Sequence, residues 1–349
     1  MLFNSIEFLL FILIVIPTYF IIPHKRRWVL LLLASYFFYG VWEIKYLGII
    51  IGSTLIDYFI GLKIHSSSIQ RTKKRFLYLS LASNLSVLFI FKYFNFFLDN
   101  TNEIIQLSNS NYQLPYLEVI LPVGISFYTF QTLSYSLDIY NGKIKTPEKN
   151  IGIFALFVSF FPQLVAGPIE RASNLLPQFH QKHDFSFDKA ASGLTLALWG
   201  LFKKVVVADR LSIIVNEIYN NPTEYSGFTI IIGTVFFAFQ IYCDFSGYSD
   251  IAIGIARTMG FDFLKNFRTP YFSKSIGEFW KRWHISLSTW FKDYLYIPLG
   301  GNRVVKWKWY YNLFITFLVS GFWHGAQWTF IIWGSLHGLY LILETLIQI

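Results

Sequence analysis

An all-helical, polytopic membrane bundle is the fold class that this sequence predicts, and three observations predict it. Of 349 residues, 54% are hydrophobic and only 14% are charged, the balance of a chain that places most of its length in lipid. Several apolar runs approach the roughly 20 residues a helix needs to cross a bilayer, whereas the period-2 alternation of a membrane β-barrel is not apparent. Lys and Arg crowd some links between these runs and are missing from others, the alternation that two-sided threading requires.

The first run, Glu7 to Pro23, has no basic segment before it and no small-residue cleavage site after it, so it reads as a retained helix. Trp28 to Trp42, Tyr46 to Leu62 and Phe76 to Leu98 follow. Lys25, Arg26 and Arg27 occupy the first link, and Lys63, Arg71, Lys73, Lys74 and Arg75 the third. No Lys or Arg occurs from Asp99 to Glu118, while Lys143, Lys145 and Lys149 lie in 141–150. The former stretch is expected outside, the latter in the cytoplasm, and the amino terminus outside. Pro122 and Gly124 early in the run 119–140, and FPQLVAGPIER after the run that starts at Ile151, predict broken or re-entrant helices. Such backbone survives at membrane depth only where protein or water satisfies its amides and carbonyls. With no fixed repeat, low-complexity stretch or long linker, 1–349 reads as a single membrane domain, the helices of 1–140 leading into a core over 141–349.

Several function classes lose their support. A lone cysteine, Cys243, permits no intramolecular disulfide, and no Cys/His group has zinc-site spacing, so no metal is expected. The net charge of +9 is explained by basic loops facing anionic lipid, without nucleic acid. The nucleophile elbow, the P-loop and the dinucleotide fingerprint do not occur. Asp244 and Asp250 in YCDFSGYSD fall on different helical faces and are expected to organise a turn and pair with Lys or Arg.

Most of the net charge lies between Lys265 and Lys308, where nine Lys and Arg residues face only Glu278 and Asp293. Read as one helix, Ile276 to Tyr294 places Ile276, Trp280, Trp283, Leu287, Trp290, Phe291 and Tyr294 on one face and the charges on the other. That helix is expected along the membrane surface, with its tryptophans in the headgroup zone and His284 at the border of its faces. The belt is an interfacial anchor, or it also attracts an anionic donor such as an acyl-coenzyme A through Lys281, Arg282, Lys292 and Arg303.

In SGFWHGAQWTFIIWG (320–334) a histidine sits inside an apolar, aromatic run. On a helix starting near Ser320, the face of His324 is shared by Ser320, Gly321, Gln327, Trp328, Ile331 and Ser335, so it points to a polar interior. An ionisable side chain at membrane depth reads as functional by default; the alternative is a histidine bonded to a neighbouring helix's carbonyl. A desolvated imidazole stays neutral and can accept a proton, which a general base needs to activate a hydroxyl against a thioester. His337 would lie about 140° away on the same helix, unsuited to act with His324, which leaves His284 as the second candidate. An intramembrane histidine also fits a secondary transporter, although the inverted repeats common in that class are not visible.

Four stretches together carry a family resemblance: FPQLVAGPIERASNLLPQF (161–179), YCDFSGYSDIAIGIARTMGF (242–261), FWKRWHISLSTWFKDYLYIPLGGNR (279–303) and SGFWHGAQWTFIIWGSLHGLYL (320–341). The chain resembles the membrane-bound O-acyltransferases over essentially its whole length, most closely the branch of the alginate O-acetylation membrane subunit. The resemblance implies a funnel-shaped bundle in a multi-pass inner (cytoplasmic) membrane protein. It implies transfer of acetyl groups from a cytoplasmic thioester such as acetyl-coenzyme A, with no tightly bound cofactor, toward an extracytoplasmic polysaccharide through a partner acetyltransferase. It assigns catalysis to His324 and a second functional position to His284. A sister branch moves D-alanyl groups to teichoic acid; the AGPIERASNLLPQF and IPLGGNR wording favours the polysaccharide branch. Members of that branch continue for several helices beyond the WHGA motif, so the later helices are expected to be missing here.

Overall fold

The structure is a computed structural model and describes residues 1–108, 112–165 and 167–347. In chain order its α-helices are α1 (Ile6–Ile21), α2 (His24–Gly40), α3 (Leu47–Ser66), α4 (Gln70–Leu88), α5 (Phe94–Leu107), α6 (Ile125–Tyr140), α7 (Ile151–Ser159) and α8 (Phe161–Leu164). They continue as α9 (Ala172–His180), α10 (Phe187–Leu201), α11 (Asp209–Asn220), α12 (Gly227–Thr258), α13 (Ile276–Arg282), α14 (Ile285–Phe291), α15 (Lys306–His324) and α16 (Trp328–Ile347). No strand occurs among the described residues. Among them, five helical stretches are long and apolar enough to cross a membrane: Ile44–Ser66, Gln70–Leu107, Phe187–Asn220, Gly227–Thr258 and Trp328–Ile347. Ile231, Val235 and Phe239 of α12 stand exposed, the apolar surface that a helix offers to lipid tails.

The predicted breaks occur. The run from Val119 becomes helical only at Ile125, after Gly124 turns the chain with φ 77°, a conformation glycine adopts without penalty. Helix α7 stops at Ser159, and Phe160 leaves helical geometry before the single turn of α8. Ala166 of the first motif and residues 109–111 of the link expected outside lie beyond the described residues. The run placed at Phe76 to Leu98 is longer than expected, because a π-helical turn at Phe89–Tyr93 joins α4 to α5 without interrupting the axis.

The chain forms two compact units, each drawn from two stretches of sequence: residues 1–52 with 148–266, and residues 53–147 with 267–349. In the first, α10 and α12 pack at backbone contact, so that a Cβ on Gly254 would meet the Gly193 carbonyl at 2.4 Å. This close approach of small residues substitutes for a hydrophobic drive between helices in lipid. Asp250 and Asp244 lie inside α12, not at a turn as the sequence implied; Lys203 reaches Asp250 at 2.7 Å and Lys204 reaches Asp244 at 2.5 Å. The motifs 161–179 and 242–261 meet here: Phe261 packs against Phe179 at 5.3 Å, and just beyond the second motif the Leu264 amide donates to buried Glu170, which also accepts from the Asn174 amide group, both at 2.6 Å.

In the second unit a buried carboxylate joins three helices. Asp57 of α3 accepts from Ser80 and, at 2.7 Å, from Asn84, both on α4, and from Ser136 of α6 at 3.0 Å. Thr132 donates to Asn84 at 3.0 Å and completes the network. Hydrogen-bonding each oxygen offsets the cost of burying a carboxylate, and the same bonds set the register of α3, α4 and α6.

Candidate active site

The two remaining motifs, 279–303 and 320–341, both belong to the second unit and build its candidate site. The stretch Ile276 to Tyr294 is not the single surface helix expected from its periodicity. Ser275 caps α13 by accepting from the Glu278 amide at 3.1 Å, and Glu344 of α16 accepts from the Gly277 amide at 3.0 Å, so two otherwise unpaired N–H groups are satisfied. The helix then ends: Trp283 is extended, and His284 takes the left-handed conformation with φ 42° and ψ 55° before α14 begins. For a residue with a Cβ this costs about 1–3 kcal/mol and persists only where the surroundings enforce it. They do so here through Trp283 N to Phe279 O (2.8 Å), Ser288 N to His284 O (3.0 Å) and the Phe267 ring stacked 6.5 Å from the imidazole. The kink turns His284 inward to 5% exposure.

The tryptophans expected in the headgroup zone are instead packed in protein. Trp280, Trp283 and Trp290 are all buried. Trp290 donates through Nε1 to the Phe130 carbonyl at 3.0 Å, and Phe130 stacks on Trp323 at 4.1 Å. Thus α14 is held to α6 and to the end of α15.

His324 is the last residue of α15, so the proposed continuous helix through Gln327 and Trp328 is replaced by a hairpin of α15 and α16 around the link 325–327. The turn suits glycine, since a Cβ on Gly325 would lie 2.2 Å from the Phe330 ring. The two helices touch at their backbones, a Cβ on Gly334 meeting Phe317 O at 2.5 Å. The ring of His324 is half-buried, with Trp333 edge-on at 5.0 Å and Phe330 nearly parallel at 6.5 Å. Its Nδ1 lies 2.6 Å from the Ser320 carbonyl. A carbonyl only accepts, so Nδ1 carries the proton and the neutral ring presents its lone pair on Nε2.

The hairpin also changes the relation between His324 and His337. They are not on one helix; Trp333 lies between them, 4.9 Å from His337, which accepts at Nδ1 from Trp280 Nε1 at 3.4 Å. His284 lies within the electrostatic reach of His324: burial first, and the charge of His324 second, push its pKa well below 6.5.

Two cavities adjoin this hairpin. One, of about 370 Å³, is lined by Trp280, Lys281, Ser288, Lys292, Phe317 and Ser320 among others. It brings two of the four predicted donor-binding cations beside the residue whose carbonyl holds His324. Arg282 instead pairs with Glu278 at 2.5 Å, and Arg303 lies exposed on the turn after Gly300; neither lines this cavity. Backbone donation from Lys274 first, and then Arg282, hold the Glu278 carboxyl below its usual range. The second cavity, of about 330 Å³, is polar and lies past His324 between α5 and the start of α16, with Asp99, Asn100, Glu103, Gln327 and Trp328 in its wall. Trp328 is 59% exposed yet held in place by donation to Asn100 at 2.8 Å.

One participant was not singled out from the sequence. Lys92, in the π-helical turn between α4 and α5, donates to Ser126 Oγ at 3.2 Å and to the Trp323 carbonyl, next to His324. Beside it Tyr93 donates to the Phe322 carbonyl at 3.0 Å and stacks on the Phe322 ring at 4.3 Å. The available signal was a lone cation within the apolar run from Phe76 to Leu98.

The model of the membrane-bound O-acyltransferase family matches residues 148–348. The probable alginate O-acetylase of Pseudomonas aeruginosa is 45% identical over 99% of this chain and 66% of its own length, and that of Azotobacter vinelandii 44% identical over 100% and 70%. The peptidoglycan O-acetyltransferase of Helicobacter pylori is 43% identical over 89% and 63%. A more distant similarity, 29% over 64% of this chain, connects it to the teichoic acid D-alanyltransferase of Streptococcus thermophilus. The chain spans about two thirds of the length of the curated relatives it matches. With the motifs, the helical fold and these similarities in agreement, the chain belongs to the membrane-bound O-acyltransferase family.

Proposed function

We propose that the protein is an integral-membrane O-acyltransferase that takes an acetyl group from a cytoplasmic thioester, such as acetyl-coenzyme A, and passes it toward a cell-envelope glycan outside, with an extracytoplasmic acetyltransferase as partner. The observation that carries this reading is the fixed tautomer of His324 in a hairpin that two cavities of different chemistry adjoin, one lined by Ser320 and the other by Gln327 and Trp328, although the His324 side chain itself lines neither. The cavity bearing Lys281 and Lys292 suits a phosphate-rich donor, because fixed cations raise its local concentration. The polar cavity with an immobilised, exposed indole suits a hydroxyl-bearing acceptor, and it adjoins the stretch from Asp99 that lacks Lys and Arg. The higher identity to O-acetylating relatives than to the D-alanyltransferase favours acetyl as the group moved.

In the reaction, Nε2 of His324 removes the hydroxyl proton as the oxygen attacks the thioester carbonyl carbon. The tetrahedral intermediate then expels the thiolate, the carbon–sulfur bond breaks, and the imidazolium returns the proton to sulfur. His284, kept neutral beside it, adds no second positive charge when His324 is protonated. Replacement of His324 by Ala or Gln should abolish release of free thiol from acetyl-coenzyme A while leaving the protein in the membrane. Unchanged release, or uptake of a labelled solute by the reconstituted chain without any donor turnover, would refute the reading.

A further inference from the structure

Lys92 lies well inside the apolar stretch Gln70–Leu107. Among the described residues, its ammonium contacts only neutral groups: the hydroxyl of Ser126, the carbonyl of Trp323 and, at 5.7 Å, the ring of Tyr93. Lys92 is half-buried, and an ammonium withdrawn even partly from water without a counter-charge is costly. Capping the last turn of α15 is a task that a neutral amide could perform more cheaply. The backbone is also altered around it. The π-helical turn, a feature concentrated at functional sites, carries Lys92 and Tyr93 together against the carbonyls of Trp323 and Phe322. The outcome is a fixed positive charge beside the residue that bears the base.

We propose that Lys92 is a catalytic residue that stabilises the oxyanion of the acyl-transfer intermediate. The inference rests on the acyltransferase reading above. When the acceptor oxygen bonds to the thioester carbon, the carbonyl π-bond opens and its electron pair moves to oxygen. The proton goes to His324 Nε2. The new negative charge is met by the Lys92 ammonium, already partly desolvated and oriented by Ser126 and by the Trp323 carbonyl. On collapse the pair returns to re-form C=O, the thiolate leaves and takes the proton from His324, and Lys92 is unchanged. Removing one preorganised oxyanion donor costs about 100- to 1,000-fold in kcat. Because the charge appears only after attack, binding of the donor is unaffected.

The test uses the full chain in nanodiscs, with acetyl-coenzyme A as donor and thiol release as readout, for the K92M, K92Q, K92R, S126A and H324A proteins. The expected result is a kcat 100- to 1,000-fold lower in K92M and K92Q with KM for acetyl-coenzyme A within twofold, and partial recovery in K92R. A purely structural cap would lower the folded yield and leave the kcat of the folded fraction unchanged, which overturns the proposal. If neither neutral variant folds, K92R and S126A decide: both change the position of the charge, and wild-type kcat in both overturns it. H324A separates the two readings. Loss in H324A with wild-type kcat in K92Q defeats only the role of Lys92, whereas full activity in folded H324A defeats the acyltransferase mechanism itself.

Discussion

Alanine at Gly334 perturbs the site without touching any ionisable group. The added Cβ would lie 2.5 Å from the Phe317 carbonyl oxygen and 2.9 Å from the Gly321 Cα, where ordinary contact begins at 3.4 Å. Both neighbours are backbone atoms of α15, so α15 and α16 must separate by about 1 Å. Overpacking of this kind costs about 1–3 kcal/mol of stability. The functional consequence should be larger. Trp333, adjacent to the substitution, supports the His324 ring from α16 at 5.0 Å, and a misplacement of about 1 Å in a reacting geometry lowers rate roughly 100-fold. Thiol release from acetyl-coenzyme A by purified G334A protein, normalised to the monodisperse fraction, measures the effect. G52A is the matched control, since a Cβ on Gly52 meets nothing within 4 Å; it should be neutral or gain up to about 1 kcal/mol through helix propensity. A monodisperse G334A protein with kcat within threefold of wild type would show that the spacing of this hairpin does not position the base.

Two further outcomes follow from charge and burial. His284 is buried neutral, and its pKa is pushed well below 6.5, so on acidification the unfolded chain takes up protons that the folded chain does not. This contribution to stability is complete above about pH 6.5 and declines below it by up to about 1.4 kcal/mol per pH unit. Thermal unfolding in detergent should show that slope in wild type and lose it in H284Q; identical slopes would contradict it. Reversal of both cavity-lining cations, K281E with K292E, should raise KM for acetyl-coenzyme A at least tenfold and leave membrane insertion intact. R282E instead removes the pairing with Glu278 and should leave that KM within twofold; equal effects from both would remove the distinction between donor cavity and anchor.

Composition and periodicity by themselves determined that this is a helical membrane chain, because the length and apolarity of a crossing helix are properties of consecutive residues. They also indicated the breaks near Gly124 and Phe160, where proline and glycine limit the local backbone, and singled out His324 as a candidate because an ionisable side chain within an apolar run is costly. Tertiary structure alone decided the rest. The period of Ile276 to Tyr294 is helical throughout, yet contacts from Phe267 and Phe279 force His284 into a left-handed kink that no local preference would select. Likewise, nothing in 320–341 distinguishes one long helix from a hairpin until Phe330 closes over Gly325 and Gly334 meets Phe317. Lys92 stands far along the chain from the carbonyl it holds. A sequence pattern reports which face of an element is apolar; it carries no information about which distant backbone atom will meet that face, and the chemistry of this site depends on those meetings.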